Sequence, residues 1–119
     1  MFLALPINEK NLFWTRHSKE KMRQYGFSEN RLKRVLRRPE RKEEGVAPNT
    51  VAVMQGAGTK KHPIEIWLMY QVVRSKSDSK KSKIKQVRIV SAWKYPGKSP
   101  VGKMPPIPED VLSELEKLI

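Results

Sequence analysis

The period of the apolar positions changes twice along this chain, from a helical opening to a stranded middle and back to a short helical end. Residues 1–13 mix apolar side chains with Pro6, Asn8 and Asn11 and predict an extended lead-in, with a short strand over 12–15 as an option. Ser18, Met22 and Tyr25 then recur at i, i+4 and i+7, one face of a helix. Thr15 is suited to cap that helix and Gly26 to end it. His17, Lys21 and Gln24 fall on the adjacent stripe, which places His17 in the first turn and partly toward solvent. A second helix follows at once. Ser28 is its N-cap, Phe27 can staple onto Leu32, the apolar face is Leu32, Val35 and Leu36, and Pro39 stops it. So short a link predicts a helical hairpin.

From here the pattern is that of strands. Residues 50–56 (TVAVMQG) are β-branched and short, and the polar run 40–46 is a weaker edge candidate. Residues 56–63 read as a loop. The stretch 64–74 (IEIWLMYQVVR) is apolar enough on both faces to be central. Residues 75–83 (SKSDSKKSK) read as a solvated hairpin tip, after which 84–95 returns antiparallel. Five prolines between 96 and 108 predict an extended linker. Pro108 then opens a last helix with Glu109 and Asp110 at its positive end. Its apolar face is Val111, Leu112, Leu115, Leu118 and Ile119, which must dock on this domain or on a partner. The expected class is α+β: an N-terminal helical hairpin packed on a three- to four-stranded antiparallel sheet, plus a C-terminal helix. A domain over 1–96 and a Pro-rich linker with an amphipathic helix over 97–119 are the expected units.

Composition adds a partner class. The chain has 119 residues, enough for one compact domain with a modest core. Lys and Arg number 25 against 12 acids, a net charge of +13, so phosphate-rich or otherwise acidic partners are expected. Cysteine is absent, which removes disulfides, thiolate catalysis and cysteine-based zinc sites. With two histidines far apart, no metal and no cofactor are expected. The opening apolar run ends at Pro6, too short for a signal-peptide core, and no run approaches the roughly 18 residues of a membrane span. The expectation is a cytoplasmic chain with no membrane contact.

Against that background His17 is the best placed group for chemistry. Arg16, Lys19 and Lys21 surround it with phosphate-holding charge, and imidazole changes protonation near neutral pH. Taking a proton from a ribose 2′-OH and returning one to a 5′-oxygen needs such a group. Ser91 and Trp93 stand two apart on the last long strand and point to one face, together with Val87, Ile89 and Tyr95 in a regular strand. Ser91 could donate to a phosphate and Trp93 could carry a splayed base, or Trp93 could simply close the core. Arg88 and Lys94 face the other way unless a bulge intervenes. His62, in a basic loop before Pro63, is the weaker histidine. The basic runs 31–42 and 74–85 read as electrostatic grips on nucleic acid or as solvated faces.

These residues carry a resemblance. His17-Ser18-x-x-Lys21-Met22-x-x-Tyr25-Gly26-Phe27-Ser28 resembles the H-A-x-x-R-M-x-x-R-G-I-S opening of small domains usually placed with RelE-like toxins. Ser91-Ala92-Trp93-Lys94 is similar to the S-x-W strand of colicin D-type anticodon nucleases. Both belong to the barnase, EndoU, colicin and RelE ribonuclease superfamily. The resemblance covers roughly residues 12–96. It implies His17 as acid/base, Arg16 as a basic neighbour, and Ser91 with Trp93 completing the pocket. The chain departs from the pattern at Trp14, where colicin D-type sites place a lysine, at Lys21, which replaces an arginine, and at Tyr25, which interrupts the second basic position.

The leading expectation is therefore a metal-independent endoribonuclease of toxin type acting on RNA, tRNA or mRNA included, with Lys21, Lys19, Arg16, Arg88 and Lys94 as substrate-binding cations. The alternatives are a non-catalytic nucleic-acid-binding module and a domain docking an acidic antitoxin or immunity protein.

Overall fold

The structure, a computed structural model, describes residues 9–45, 47–74, 84–102 and 107–117. The expected hairpin tip at 75–83, most of the lead-in and the helix end at 118–119 lie outside the described residues. After a 3-10 turn at Glu9–Asn11 the order is β1 (Leu12–Trp14), α1 (Arg16–Tyr25), α2 (Glu29–Arg37), β2 (Arg41–Glu44), β3 (Thr50–Gly58), β4 (Pro63–Arg74), β5 (Ile84–Pro96) and α3 (Glu109–Glu116). The α+β class stands, with one five-stranded sheet in the order β1-β5-β4-β3-β2.

The helix boundaries follow the local signals. Thr15 accepts the Ser18 N–H at its side chain, and Gly26 closes α1 in the left-handed region at φ 70°. Ser28 caps α2 by accepting from Arg31 N–H, and the helix ends before Pro39. No helix among the described residues is long and apolar enough to cross a membrane.

Two features differ from the expected layout. The sheet is mixed: β1 pairs parallel with β5, Leu12 to Val87 and Trp14 to Ile89, while every other pairing is antiparallel. Three residues are too few to show a period, and their partner lies some 75 positions away in sequence. The helices also do not form one layer. Leu32, Val35 and Leu36 of α2 pack on Val53, Ile66, Leu68, Tyr70, Val87 and Ile89. Val111 and Leu115 of α3 cover the opposite face, on Ala52, Met54, Trp67, Met69, Val90 and Trp93. α1 runs along β5 and sends Met22 to the first core and Tyr25 to the second. The sheet is thus sandwiched between α2 and α3. β4 is central and apolar on both faces, as its sequence predicts.

A bulge in β5 matters most for the site. Met69 pairs with Ser91 and Tyr70 with Ile89, leaving Val90 without a cross-strand partner. The extra residue changes which side chains share a face. Val87 and Ile89 join the α2 core, while Val90 and Trp93 join the α3 core. The five-residue face expected for a regular strand is therefore corrected: Ser91, Trp93 and Tyr95 lie on the α3 face, and Val87 and Ile89 do not. The inserted residue also brings Arg88, opposite Gln71, onto the Ser91 face. Lys94 stays on the other one, above the Phe27 ring.

Candidate active site

Thr15 explains how the two distant segments meet. Its hydroxyl donates to the Ile89 and Val90 carbonyls at 2.8 and 3.1 Å, and its N–H donates to Ile89 O. The residue that caps α1 therefore also fastens the first turn of that helix to the β5 bulge. His17, two positions on, reaches Ser91, one position past the extra residue: Nε2 and Oγ share a hydrogen bond of 3.0 Å. On the other side of the ring, Nδ1 faces a Glu114 carboxylate oxygen at 4.0 Å. That charge favours a proton on Nδ1, and in this tautomer the Ser91 hydroxyl donates to Nε2. A doubly protonated ring would donate to Ser91 instead.

Lys21, one turn further along α1 and expected as a substrate-binding cation, does not lie on the surface. It is buried, donates to Asp110 Oδ2 at 2.5 Å and to Gln24 Oε1 at 3.0 Å, and lies 5.1 Å from the centre of the Tyr25 ring. Burying an ammonium requires a partner, and Asp110 is that partner. Lys21 in turn holds the Asp110 carboxyl below its ordinary range, chiefly by the hydrogen bond and then by charge, with burial opposing and His17 adding a small pull.

The site is closed. The His17 side chain retains 11 % of its exposure, and Ser91 has none. Beneath α3 the Ser91 hydroxyl meets no solvent, and its contact is with the imidazole, which it orients. Trp93 is equally buried and stacks on Trp67 with the rings 6.2 Å apart and nearly parallel. It is a core residue under α3, and its indole N–H has no acceptor among the described residues.

The remaining expected cations divide. Arg16 is solvent-exposed and pairs with Glu20 at 3.5 Å, and Lys19 is exposed beside it. Arg88 is half-buried, donates to Gln86 Oε1 at 3.4 Å, and keeps a buried Nε without an acceptor among the described residues. Lys94 is exposed on the far face. His62 is exposed in the turn between β3 and β4, where its backbone bonds with Thr59. Arg41, expected in a nucleic-acid grip, is an internal residue instead. It donates to Glu43, Ser99 and Pro100, and stands 3.5 Å from the buried Glu65. Glu65 accepts further from the Ser99 hydroxyl and from the Trp67 indole. This cluster anchors the start of the linker to the sheet.

Asp110 and Glu114 are the site residues that sequence reasoning missed. They are one turn apart on α3, flanking Val111 and Leu115, so the signal was an acidic stripe beside the apolar one. Nothing local said which face it would meet. Among the described residues no group of three His, Cys, Asp or Glu side chains could hold a metal ion. No family model matches the chain, and no curated protein or solved structure does either.

Proposed function

We propose that this protein is a metal-independent endoribonuclease of toxin type, in which His17 works as the acid/base. The supporting observation is the 3.0 Å contact between His17 Nε2 and Ser91 Oγ, made across 74 positions of sequence. A buried serine that holds one ring nitrogen leaves the other for a substrate. In this reading RNA takes the place of Glu114, and the neutral ring carries its proton on Nε2, which donates to Ser91 Oγ. Nδ1 takes the proton of a ribose 2′-OH as O2′ attacks the adjacent phosphorus and the P–O5′ bond breaks. The imidazolium then supplies the proton that the departing 5′-oxygen needs. The products are a 2′,3′-cyclic phosphate and a 5′-hydroxyl. Lys21, a turn away, offsets the charge of the crowded phosphate. The excess of basic residues over acidic ones draws RNA to the surface.

The experiment is cleavage of total RNA in EDTA by wild type and His17→Ala. General acid–base catalysis contributes about 10²–10⁴-fold, so the variant should lose about that much. Equal cleavage by the two proteins, or none by either, removes the enzyme reading.

A second reading has its own observation. Arg34, Arg37 and Arg38 line a cleft with Gln55 on the α2 face, the side of the sheet away from α3. A non-catalytic nucleic-acid-binding module would use this surface. Its binding would weaken with salt and survive His17→Ala unchanged.

A further inference from the structure

The one element that closes the candidate site is also the most acidic thing it meets. Asp110 sits on the buried ammonium of Lys21, and Glu114 faces the His17 nitrogen that Ser91 leaves unused. Next to each acid in sequence, Val111 and Leu115 lie in the same apolar cluster as Trp67 and Trp93. Carboxylates in contact with an ammonium and an imidazole, alternating with aliphatic groups over stacked indoles, reproduce the alternation of a nucleic-acid strand: anionic links between flat, apolar bases.

We propose that α3 occupies the phosphodiester-binding subsite of this protein: Asp110 and Glu114 stand where RNA phosphate oxygens bind Lys21 and His17, so the resting chain carries its own competitor. This rests on the ribonuclease reading for the identity of the ligand.

Three further observations agree. The Trp93 indole N–H is buried without an acceptor among the described residues, so α3 covers this face without satisfying its polar group. The root of the linker is held independently of α3: Ser99 and Pro100 bond to Arg41 and Glu65, and Gly102 N–H donates to Glu43. α3 can therefore leave while its attachment stays in place. An eight-residue helix has little stability of its own in water, so its order depends on what it docks against. Displacement by RNA exchanges two carboxylates for phosphates on the same cations.

The test uses the full chain and a fluorescent 2′-O-methyl RNA oligonucleotide, which binds without being cut. Asp110→Asn with Glu114→Gln should bind it about tenfold more tightly than wild type, the factor given by about 1.4 kcal/mol. Removing two charges elsewhere, by Glu29→Gln with Glu44→Gln, should give a markedly smaller gain, since both residues are exposed and lie on α2 and β2 rather than on the elements that meet at His17 and Lys21. In wild type, bound oligonucleotide should speed amide hydrogen exchange across 109–116 while β4 and β5 keep their protection. An equal gain in both double variants, or an α3 that stays protected in the complex, overturns the proposal. Parallel cleavage of unmodified RNA separates the two readings. Cleavage by wild type without the site-specific gain leaves a nuclease with no internal competitor. The site-specific gain without cleavage by any variant supports the subsite and removes the nuclease. No binding by any variant removes both.

Discussion

Ser91 and His17 show how much one hydrogen bond can organise. The serine is fully buried and its hydroxyl has the imidazole as partner, so Ser91→Ala should cost about 1 kcal/mol in urea unfolding. If orienting the ring is its role, cleavage should fall with little change in the oligonucleotide affinity, whereas Ser91→Thr should restore part of the activity. Asp110 has a pH signature of its own. Lys21, and more weakly His17, hold its carboxyl below the ordinary range. The folded value is the lower one, so the contribution of the pair is present above the ordinary carboxylate range and is lost as pH falls through the depressed value. Asp110→Asn should therefore melt below wild type at neutral pH, and the gap should close in strong acid. Tyr70 gives the opposite sign. Burial raises its phenol pKa above the ordinary value, so its contribution is intact below that value and is lost as pH rises through the folded one. The alkaline limb of wild-type melting should be flatter in Tyr70→Phe. The residue identities here were legible in sequence. Their states were not, because burial of Lys21 and Ser91 is a property of what lies over them.

At the scale of elements the β5 bulge and α3 decide the site. Val90 is the extra residue, and deleting it would make β5 regular from Arg88 onward. Ile89 would stay opposite Tyr70 and Ser91 opposite Met69, so each face would keep its residues, but the α3 core would lose the Val90 side chain and Thr15 one of its two carbonyl acceptors. Deletion of Val90 should therefore leave a folded protein that melts below wild type, whereas Val90→Ile should be tolerated, with circular dichroism and melting as the readouts. α3 answers differently. Leu115 is buried against Trp67 and Trp93, so Leu115→Ala removes about 2–5 kcal/mol of packing. A docked terminal helix can simply come off, so faster amide exchange across 109–116 should exceed any loss in global stability. The caps of α1 and α2 were readable because Thr15, Gly26 and Ser28 act on backbone groups within three or four residues. The bulge was not, since it exists only as a mismatch between two strands.

For the whole molecule, charge and core are separable. On the proposed reading, the net charge of +13 should attract RNA in a salt-dependent way that survives loss of catalysis in His17→Ala. The interior depends instead on a buried ion pair on the α3 side of the sheet. Glu65 accepts from Ser99 and Trp67 and stands beside Arg41, itself close to the Trp67 ring. Removing Glu65 leaves the Trp67 indole and the Ser99 hydroxyl buried without their acceptor, while Arg41 keeps Glu43, so Glu65→Ala should destabilise by about 1–3 kcal/mol in urea and loosen the linker root as well. Arg41 illustrates why composition misleads about surfaces. It lies in a basic run that reads as a grip on nucleic acid, yet its guanidinium is committed to Glu43, Ser99 and Pro100.

The sequence by itself determined the helices, with the caps of α1 and α2, and the central position and two-sided apolar character of β4. Those follow from interactions that span a few residues or from a period repeated often enough to be read. Tertiary structure alone decided that β1 runs parallel to β5, that one inserted valine turns Ser91 and Trp93 toward α3, and that Lys21 is buried under Asp110. Each of these depends on groups that meet across 70 or more positions. A chain read locally holds no record of which of its faces will come together.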